Sequence, residues 1–347
     1  HRSLLLKYLF MKYSIIIAVY NRLEEVKELL ESAEKLEGDR RLFELLFVDD
    51  GSKDGSYMKC LAEADKDRRI AVFGKNNEGP GAARNLALRK ATGDYIYFFD
   101  IDDYLEKNAI EKFVRYMENE NTDLVVCSFS MFDGEKVFRT VKKADGLKRT
   151  GEDARKDYYE HMFMYGERGI QGAAWFKLYK TDIIRKNGIE FPKLRKSEDD
   201  VFVARYVNCI DSFYMTGDVL CRYYVNSYKR FWDKYRFDIF DTSRQSTMYI
   251  KDIVLSWNRN NKDVLQRIYD DYFHKTFGSF CFLFNPNLKL NRKARYARLK
   301  EITDIFMDDI SCDGIEINHP IFKCMKKKNY RAIYLRIVLH IWKHKFD

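Results

Sequence analysis

The chain has 347 residues with 62 Lys+Arg and 53 Asp+Glu, a formal net charge of +9, and is 46% hydrophobic and 16% aromatic. That apolar content is enough for one large domain or two ordinary ones and argues against disorder of the whole chain. No run of about 18 consecutive apolar residues occurs, which argues against a transmembrane helix.

Leu4-Leu5-Leu6 lies in a segment too short to span a membrane, and no small-residue cleavage site follows it. Met11-Lys12 reads as a natural start, so residues 1–10 are expected to be an added segment. Tyr13 to Val19 is a β-branched run expected to form a buried strand, and Leu23, Val26, Leu30 and Ala33 follow at helical spacing. Leu42 to Val48, Ile70 to Phe73, Tyr95 to Phe99 and Asp123 to Phe129 read as further strands. Tyr57, Leu61 and Ala64, then Ala82, Ala83, Leu86 and Ala87, then Leu105 to Met117 read as the helices between them. Regular alternation of strand and helix predicts an α/β fold with a parallel sheet covered by helices on both faces. Ligands bind such sheets beyond the carboxyl ends of the strands. Tyr20-Asn21, Asp49-Asp50, Asn76-Asn77 and Asp100-Ile101-Asp102 each follow a strand and would form one polar rim.

From about residue 130 the rhythm breaks. Ala174 to Tyr179 reads as a strand, Asp199 to Asn208 as a helix, and Ser212 to Met215 and Val219 to Val225 as strands. Beyond about residue 230 the pattern is helical, with a polar linker near Asn285-Pro286-Asn287. Residues 251–347 hold 19 Lys+Arg against 11 Asp+Glu, so nearly all the net positive charge belongs to the last quarter. Such charge suits either a solvated helical surface or an anionic partner such as a membrane. The seven cysteines are widely spaced and include no Cys-x-x-Cys pair, which predicts reduced thiols in a cytosolic protein and no zinc cluster.

Gly79 to Arg84, "GPGAAR", nearly matches the dinucleotide fingerprint, but Arg84 replaces its third glycine and the segment follows the third strand rather than the first. A nicotinamide or flavin site is rejected. The segment is either a flexible turn into a helix or a helix start that places Arg84 and backbone N–H groups near phosphate. Asp49-Asp50-Gly51-Ser52 is either a turn or a ligand contact through hydrogen bonds to a base or ribose. Asp100-Ile101-Asp102 is either a turn or a site for a hard cation, Mg2+ or Mn2+, with phosphate as its other ligand. Glu198-Asp199-Asp200 would suit an acidic helix N-terminus. No Ser/His/Asp arrangement can be assembled, so acid–base chemistry falls to carboxylates.

In this order the pieces "SIIIAVYNR" (14–22), "FVDDGSKDGS" (47–56), "NEGPGAARNLAL" (77–88), "GDYIYFFDIDD" (93–103), "WFKLYKTDII" (175–184) and "EDDVF" (198–202) resemble the family 2 glycosyltransferases, of GT-A fold. The resemblance covers roughly residues 13–225. It implies transfer of a sugar, with inversion, from a nucleotide-diphosphate sugar with a divalent metal. By the same resemblance Ala18, Tyr20 and Asp50 would contact the nucleoside, with Asp50 at the uracil of a UDP-sugar. Arg84 would lie near the diphosphate, Asp102 would bind metal, and Asp100 would help hold ribose or metal. Asp199 would be the catalytic base, with Asp200 next to it as the alternative by one residue. Trp175, Lys177, Glu198 and Asp200 would line the sugar and acceptor side. The Trp-x-Lys-Leu-Tyr segment resembles members that build bacterial capsule, O-antigen or exopolysaccharide.

The expected organisation is a catalytic domain over residues 11–228, with a nucleotide half (11–125) and an acceptor half (126–228), then a basic helical region over 229–347. The expected partners are a UDP-sugar and a saccharide or lipid-linked saccharide acceptor, with no nucleic acid. The expected location is cytoplasmic or peripheral at the inner face of the plasma membrane. The final helix, with Ile333, Ile337, Val338 and Ile341 on one face, would either dock onto the catalytic domain or meet an anionic membrane. A metal-dependent nucleotidyltransferase and a non-catalytic sugar-nucleotide-binding protein are the competing readings. The first normally needs a Gly-rich loop after the first strand, where Ala18 to Arg22 has no glycine.

Overall fold

The computed structural model describes residues 12–26, 29, 43–143, 146–161, 169–194, 196–225, 238–257, 262–311 and 313–343. The segment before Met11 and the helical positions Leu30 and Ala33 lie outside them. The chain divides into two compact units, residues 1–227 and 228–347.

In the first unit β1 (Tyr13–Val19), β2 (Phe43–Asp49), β3 (Ile70–Gly74) and β4 (Tyr95–Phe99) pair in parallel in the order β3-β2-β1-β4. Their β-branched and aromatic side chains are buried on both faces, as a sheet covered by helices requires. Helix α1 (Ser56–Ala64) connects β2 to β3 and α2 (Pro80–Lys90) connects β3 to β4. Helix α2 starts with Pro80 at its first turn, where the missing N–H costs no hydrogen bond. Its inner face carries Gly81, Ala83, Arg84 and Ala87. The small residues Gly81, Ala83 and Ala87 let the helix lie close to the sheet.

The parallel order ends at β4, in keeping with a mostly parallel sheet. The strand β6 (Leu124–Phe132) is not its neighbour, because β9 (Lys177–Lys180) inserts between them and runs antiparallel to both. The sheet is therefore mixed. Leu105, expected at the start of a helix, lies instead in the two-residue strand β5 (Tyr104–Leu105), which pairs with β10 (Ser212–Tyr224). The helix α3 (Ala109–Asn119) begins later, and its Ile110, Phe113, Val114 and Met117 face the core at helical spacing. The two strands expected over 212–225 are one, β10, with register shifts between Thr216 and Cys221 against β6. The strands β7 (Val137–Val141), antiparallel to β6, and β8 (Leu147–Thr150), antiparallel to β10, extend the sheet. The helices α4 (Gly151–His161), α5 (Thr181–Lys186) and α6 (Glu198–Cys209) complete the unit.

The second unit holds α7 (Ile239–Trp257), α8 (Lys262–Phe282), α9 (Arg292–Ile310), α10 (Pro320–Lys326) and α11 (Tyr330–Lys343). A single 3-10 turn at Pro286–Leu288 occupies the expected polar linker. These helices share their own aromatic and aliphatic core, including Tyr272, Phe273, Phe306, Phe322, Ile333 and Ile337. Among the described residues no helix is long and apolar enough to cross a membrane.

Candidate active site

The carboxyl ends of β1, β2, β3 and β4 lie side by side because these strands are parallel neighbours, so the four polar segments do form one rim. At the end of β1, Ala18 is partly buried and Tyr20 is exposed. Asn21 adopts a left-handed φ of 51°. It joins the ends of β1 and β2, since its N–H donates to Ser52 Oγ and its side-chain oxygen accepts the Lys53 N–H. Asp50 is buried and its carboxylate is fully engaged by its own chain. Lys75 Nζ donates to Oδ1 at 2.9 Å, and the N–H groups of Glu78 and Gly79 donate at 3.0 and 2.8 Å. Asp50 therefore fastens the loop that delivers α2.

Arg84, one turn into α2, is the junction of the site. Its Nη2 donates to Asp100 Oδ1 at 2.7 Å, and its Nη1 to Asp199 Oδ1 at 2.7 Å and Glu198 Oε1 at 3.1 Å. Three carboxylates from β4's end and the start of α6 thus meet one buried guanidinium. Burial opposes the charge on Arg84, but Asp199, Asp100 and Glu198 outweigh it and hold the group further above its usual range. The carboxyls respond the other way. Burial pushes Asp199 up to about 7 against the pull of Arg84, and it also raises Glu198. Asp199, rather than Asp200, makes the contact with Arg84. Asp200 lies against Gly172, where a Cβ would come within 1.8 Å of Asp200 Oδ1, so only glycine fits.

Asp102 is partly buried, and its carboxyl is raised by burial and by Asp100. Asp103 is buried. Its Oδ1 accepts the Tyr224 N–H of β10 at 3.0 Å, its Oδ2 has no hydrogen-bond partner, and burial pushes its carboxyl up to about 9. An acidic run with an orphaned buried oxygen, built only from carboxylates, suits a hard cation. Among the described residues no three His, Cys, Asp or Glu side chains form a metal cage. The fit is therefore to a cation held by one or two carboxylates here and completed by phosphate oxygens, as Mg2+ commonly is.

Trp175 and Lys177, expected on the sugar or acceptor side, are both buried. The Trp175 indole stacks on Tyr223 and meets Phe129 edge-on. Lys177 is 0% exposed, and its Nζ donates to the Ala173 carbonyl. The loop before β9 then reaches Asp199, because the Ala174 N–H donates to Asp199 Oδ2 at 3.3 Å. The contribution of Lys75, and of this loop to the surroundings of Asp199, carried no recognisable signal in the sequence. Asp103 was visible there only as the last acid of "GDYIYFFDIDD".

The family model for Glycosyl transferase family 2 matches residues 14–187, half of the chain. The chain belongs to glycosyl transferase family 2. Among curated proteins it is 32% identical over 195 residues to the glycosyltransferase-family protein EpsH of Bacillus subtilis (strain 168), covering 55% of this chain and 54% of that one. It is 27% identical over 201 residues to the poly(ribitol-phosphate) beta-N-acetylglucosaminyltransferase TarS of Staphylococcus aureus (strain MW2), covering 57% of this chain and 33% of TarS. The chain thus spans about half or less of the length of these relatives. The crystal structure of S. aureus TarS 1–349 in complex with UDP-GlcNAc superposes with a TM-score of 0.61 at 20% identity, covering 96% of this chain and 92% of that one. The mannosyltransferase PcManGT of Pyrobaculum calidifontis, in complex with GDP-Man and Mn2+, does so at 0.51 and 14% identity, covering 96% and 88%. These likenesses establish the GT-A fold, an α/β sheet flanked by helices.

Proposed function

We propose that this family 2 chain carries an inverting glycosyltransferase site. It would move a sugar from a UDP-sugar to a hydroxyl of a saccharide or lipid-linked saccharide during assembly of a bacterial surface polysaccharide. One named neighbour supports both the donor class and the setting: TarS, crystallised with UDP-GlcNAc, is named for transfer to poly(ribitol-phosphate).

The observation that carries the reading is the Arg84 junction. Inversion needs one in-line displacement at the anomeric carbon, with a base that takes the acceptor's proton as its oxygen attacks. Asp199 suits that role, since its carboxyl is raised to about 7, near the operating range of a general base. Arg84 ties it to Asp100 on the donor side, so base and donor-binding carboxylate share one positive charge. Asp102 and Asp100 would hold the divalent cation, Mg2+ or Mn2+. When bound, it supplies positive charge against the departing nucleoside diphosphate. Tyr20 and Ala18 border the nucleoside position, and the backbone fastened by Asp50 shapes its floor. Glu198 and Asp200 flank the base on α6, and Trp175, stacked on Tyr223, would lie toward the acceptor side.

The test is a nucleotide-sugar panel with Mn2+, scored by thermal shift and slow donor hydrolysis. Asp199→Asn is expected to abolish transfer while UDP still raises the melting temperature. Near-normal turnover of that variant removes the base assignment. Asp102→Ala is expected to weaken metal-dependent UDP binding.

The acceptor reading extends to a membrane. Ile333 and Ile337 of α11, expected on a face that either docks onto the catalytic domain or meets a membrane, are buried in the helical unit's own core. Leu335, Val338, Leu339 and Trp342 instead stand exposed at i, i+3, i+4 and i+7 of the same helix. Residues 317–346 contain no acidic side chain, while Arg331, Arg336 and Lys343 flank the stripe. Apolar side chains rimmed by positive charge match an anionic bilayer surface, at the inner face of the plasma membrane. Leu335→Gln/Leu339→Gln/Trp342→Gln should abolish sedimentation with phosphatidylglycerol vesicles, and unchanged binding sinks this part of the reading.

A further inference from the structure

Lys177 is a lysine wholly within the core of the acceptor half, with no carboxylate at salt-bridge distance among the described residues. A buried ammonium without a counter-ion is costly, and such a group is retained only where something else depends on it. Burial, with Lys143 nearby, pulls its ionisation well below the ordinary lysine range. Its Nζ lies 3.5 Å from the centroid of the Phe176 ring.

The hydrogen bond of Lys177 shows what depends on it. Nζ donates to the carbonyl of Ala173, and the N–H of the same peptide unit, that of Ala174, donates to Asp199 Oδ2 at 3.3 Å. One planar amide therefore links the buried lysine to the carboxylate. A donor on the carbonyl oxygen polarises the amide and strengthens its N–H as a donor. The next peptide is held as well, since the Tyr179 hydroxyl donates to the Ala174 carbonyl at 3.1 Å. At the far end of the loop a second buried lysine, Lys143, donates to the Gly169 carbonyl at 2.7 Å. The loop needs such fastening because Gly169 and Gln171 both take left-handed φ, 98° and 56°.

We infer that Lys177, with Tyr179, is a positioning residue for the base: through the Ala173–Ala174 peptide it orients the Asp199 carboxylate and stabilises its ionised form. This rests on the reading of Asp199 as base. Arg84 grips Oδ1 and the Ala174 N–H grips Oδ2, so the carboxylate plane is set from both sides. The other charged groups facing Asp199 are Glu198 on its own helix and Asp100 at the end of β4, and both oppose its ionisation. Asp199 and Asp200 are in turn the acids that favour the charged form of Lys177.

The experiment compares Lys177→Met, Tyr179→Phe and Asp199→Asn in the full chain, with UDP-GlcNAc as the first donor of a UDP-sugar series. Lys177→Met should lower kcat roughly ten- to a hundredfold, the cost of a misplaced reacting group. The donor KM and the thermal shift with UDP should stay unchanged. The acidic limb of the kcat profile should move to higher pH, because the ionised carboxylate loses a donor. Tyr179→Phe keeps the core volume and should show a smaller loss with the same sign, so the inference remains testable if Lys177→Met does not fold. Unaltered kcat and pH limb in Lys177→Met overturn the inference. So does a loss accompanied by a collapsed UDP thermal shift and an unmoved limb, which marks a merely structural lysine. If Asp199→Asn is itself active, the base reading fails; if it is inactive while Lys177→Met behaves as wild type, only the positioning role fails.

Discussion

The two ends of the polar rim handle their carboxylates in opposite ways. Asp50, at the end of β2, spends both oxygens on its own chain, accepting from Lys75 and two backbone N–H groups. At the end of β4 and the start of α6, Asp100, Glu198 and Asp199 divide one guanidinium among them. Asp103 beside them keeps an unpartnered buried oxygen. A carboxylate with both oxygens committed to its own chain fixes geometry. Carboxylates in excess of their counter-charges keep spare capacity for a cation, a phosphate's partner or a proton, and burial raises those of Glu198, Asp199 and Asp103. The contrast separates the scaffold of the site from its chemistry.

The largest effect that would sharpen this contrast comes from Asp199→Asn. If Asp199 is the base, as proposed, its removal should lower kcat by about 10²–10⁴-fold. The same change should leave the melting temperature at pH 8 equal to or above wild type, since it supplies a neutral group where burial favours one. A marked fall in melting temperature would place Asp199 with the scaffold. Next is Arg84→Met, which strands three acids around an apolar side chain. A loss of about 3 kcal/mol in urea unfolding is expected, as for one partner removed from a buried pair. Little loss would mean the three acids are well solvated. Asp50→Ala should cost about 2 kcal/mol by leaving buried donors unmet, with nucleotide binding reduced through the displaced 75–79 loop. Unchanged stability with loss of uridine discrimination alone would make Asp50 a ligand contact and break the comparison.

The smallest effect is the pH response. Burial raises the folded-state value of Asp199 above its ordinary 3.8 to about 7. Its contribution to stability is therefore full below the unfolded value and is lost as pH rises through about 7. Activity should climb over the same interval, because the base must be ionised. Rate and melting temperature measured from pH 5 to 8 should thus move in opposite directions, and Asp199→Asn should flatten its share of the melting trend.

Much of this was legible in the residues. Continuous β-branched runs announced buried strands, and acids after those runs marked the rim, because strand length and periodicity are local properties. The acidic start of α6 and Arg84 were visible as residue types at helix starts. Their meeting was not, since 115 positions separate Arg84 from Asp199. The antiparallel insertion of β9 between β4 and β6 was equally hidden, because pairing partners are chosen by long-range packing and not by the strand's own pattern. What covers the face of α11 was left open by the sequence for a related reason. Ile333 and Leu335 look alike in a sequence, and only the neighbouring helices decide that one is covered and the other exposed.

Sequence alone determined the element types, the family motifs and the supply of carboxylates at strand ends, all of which follow from local spacing and composition. Tertiary structure decided which carboxylates are satisfied, which compete for Arg84, and that Lys177 lies in the core behind Asp199. Those outcomes depend on burial and on contacts between distant segments, and desolvation acts only once the chain has folded around a charge.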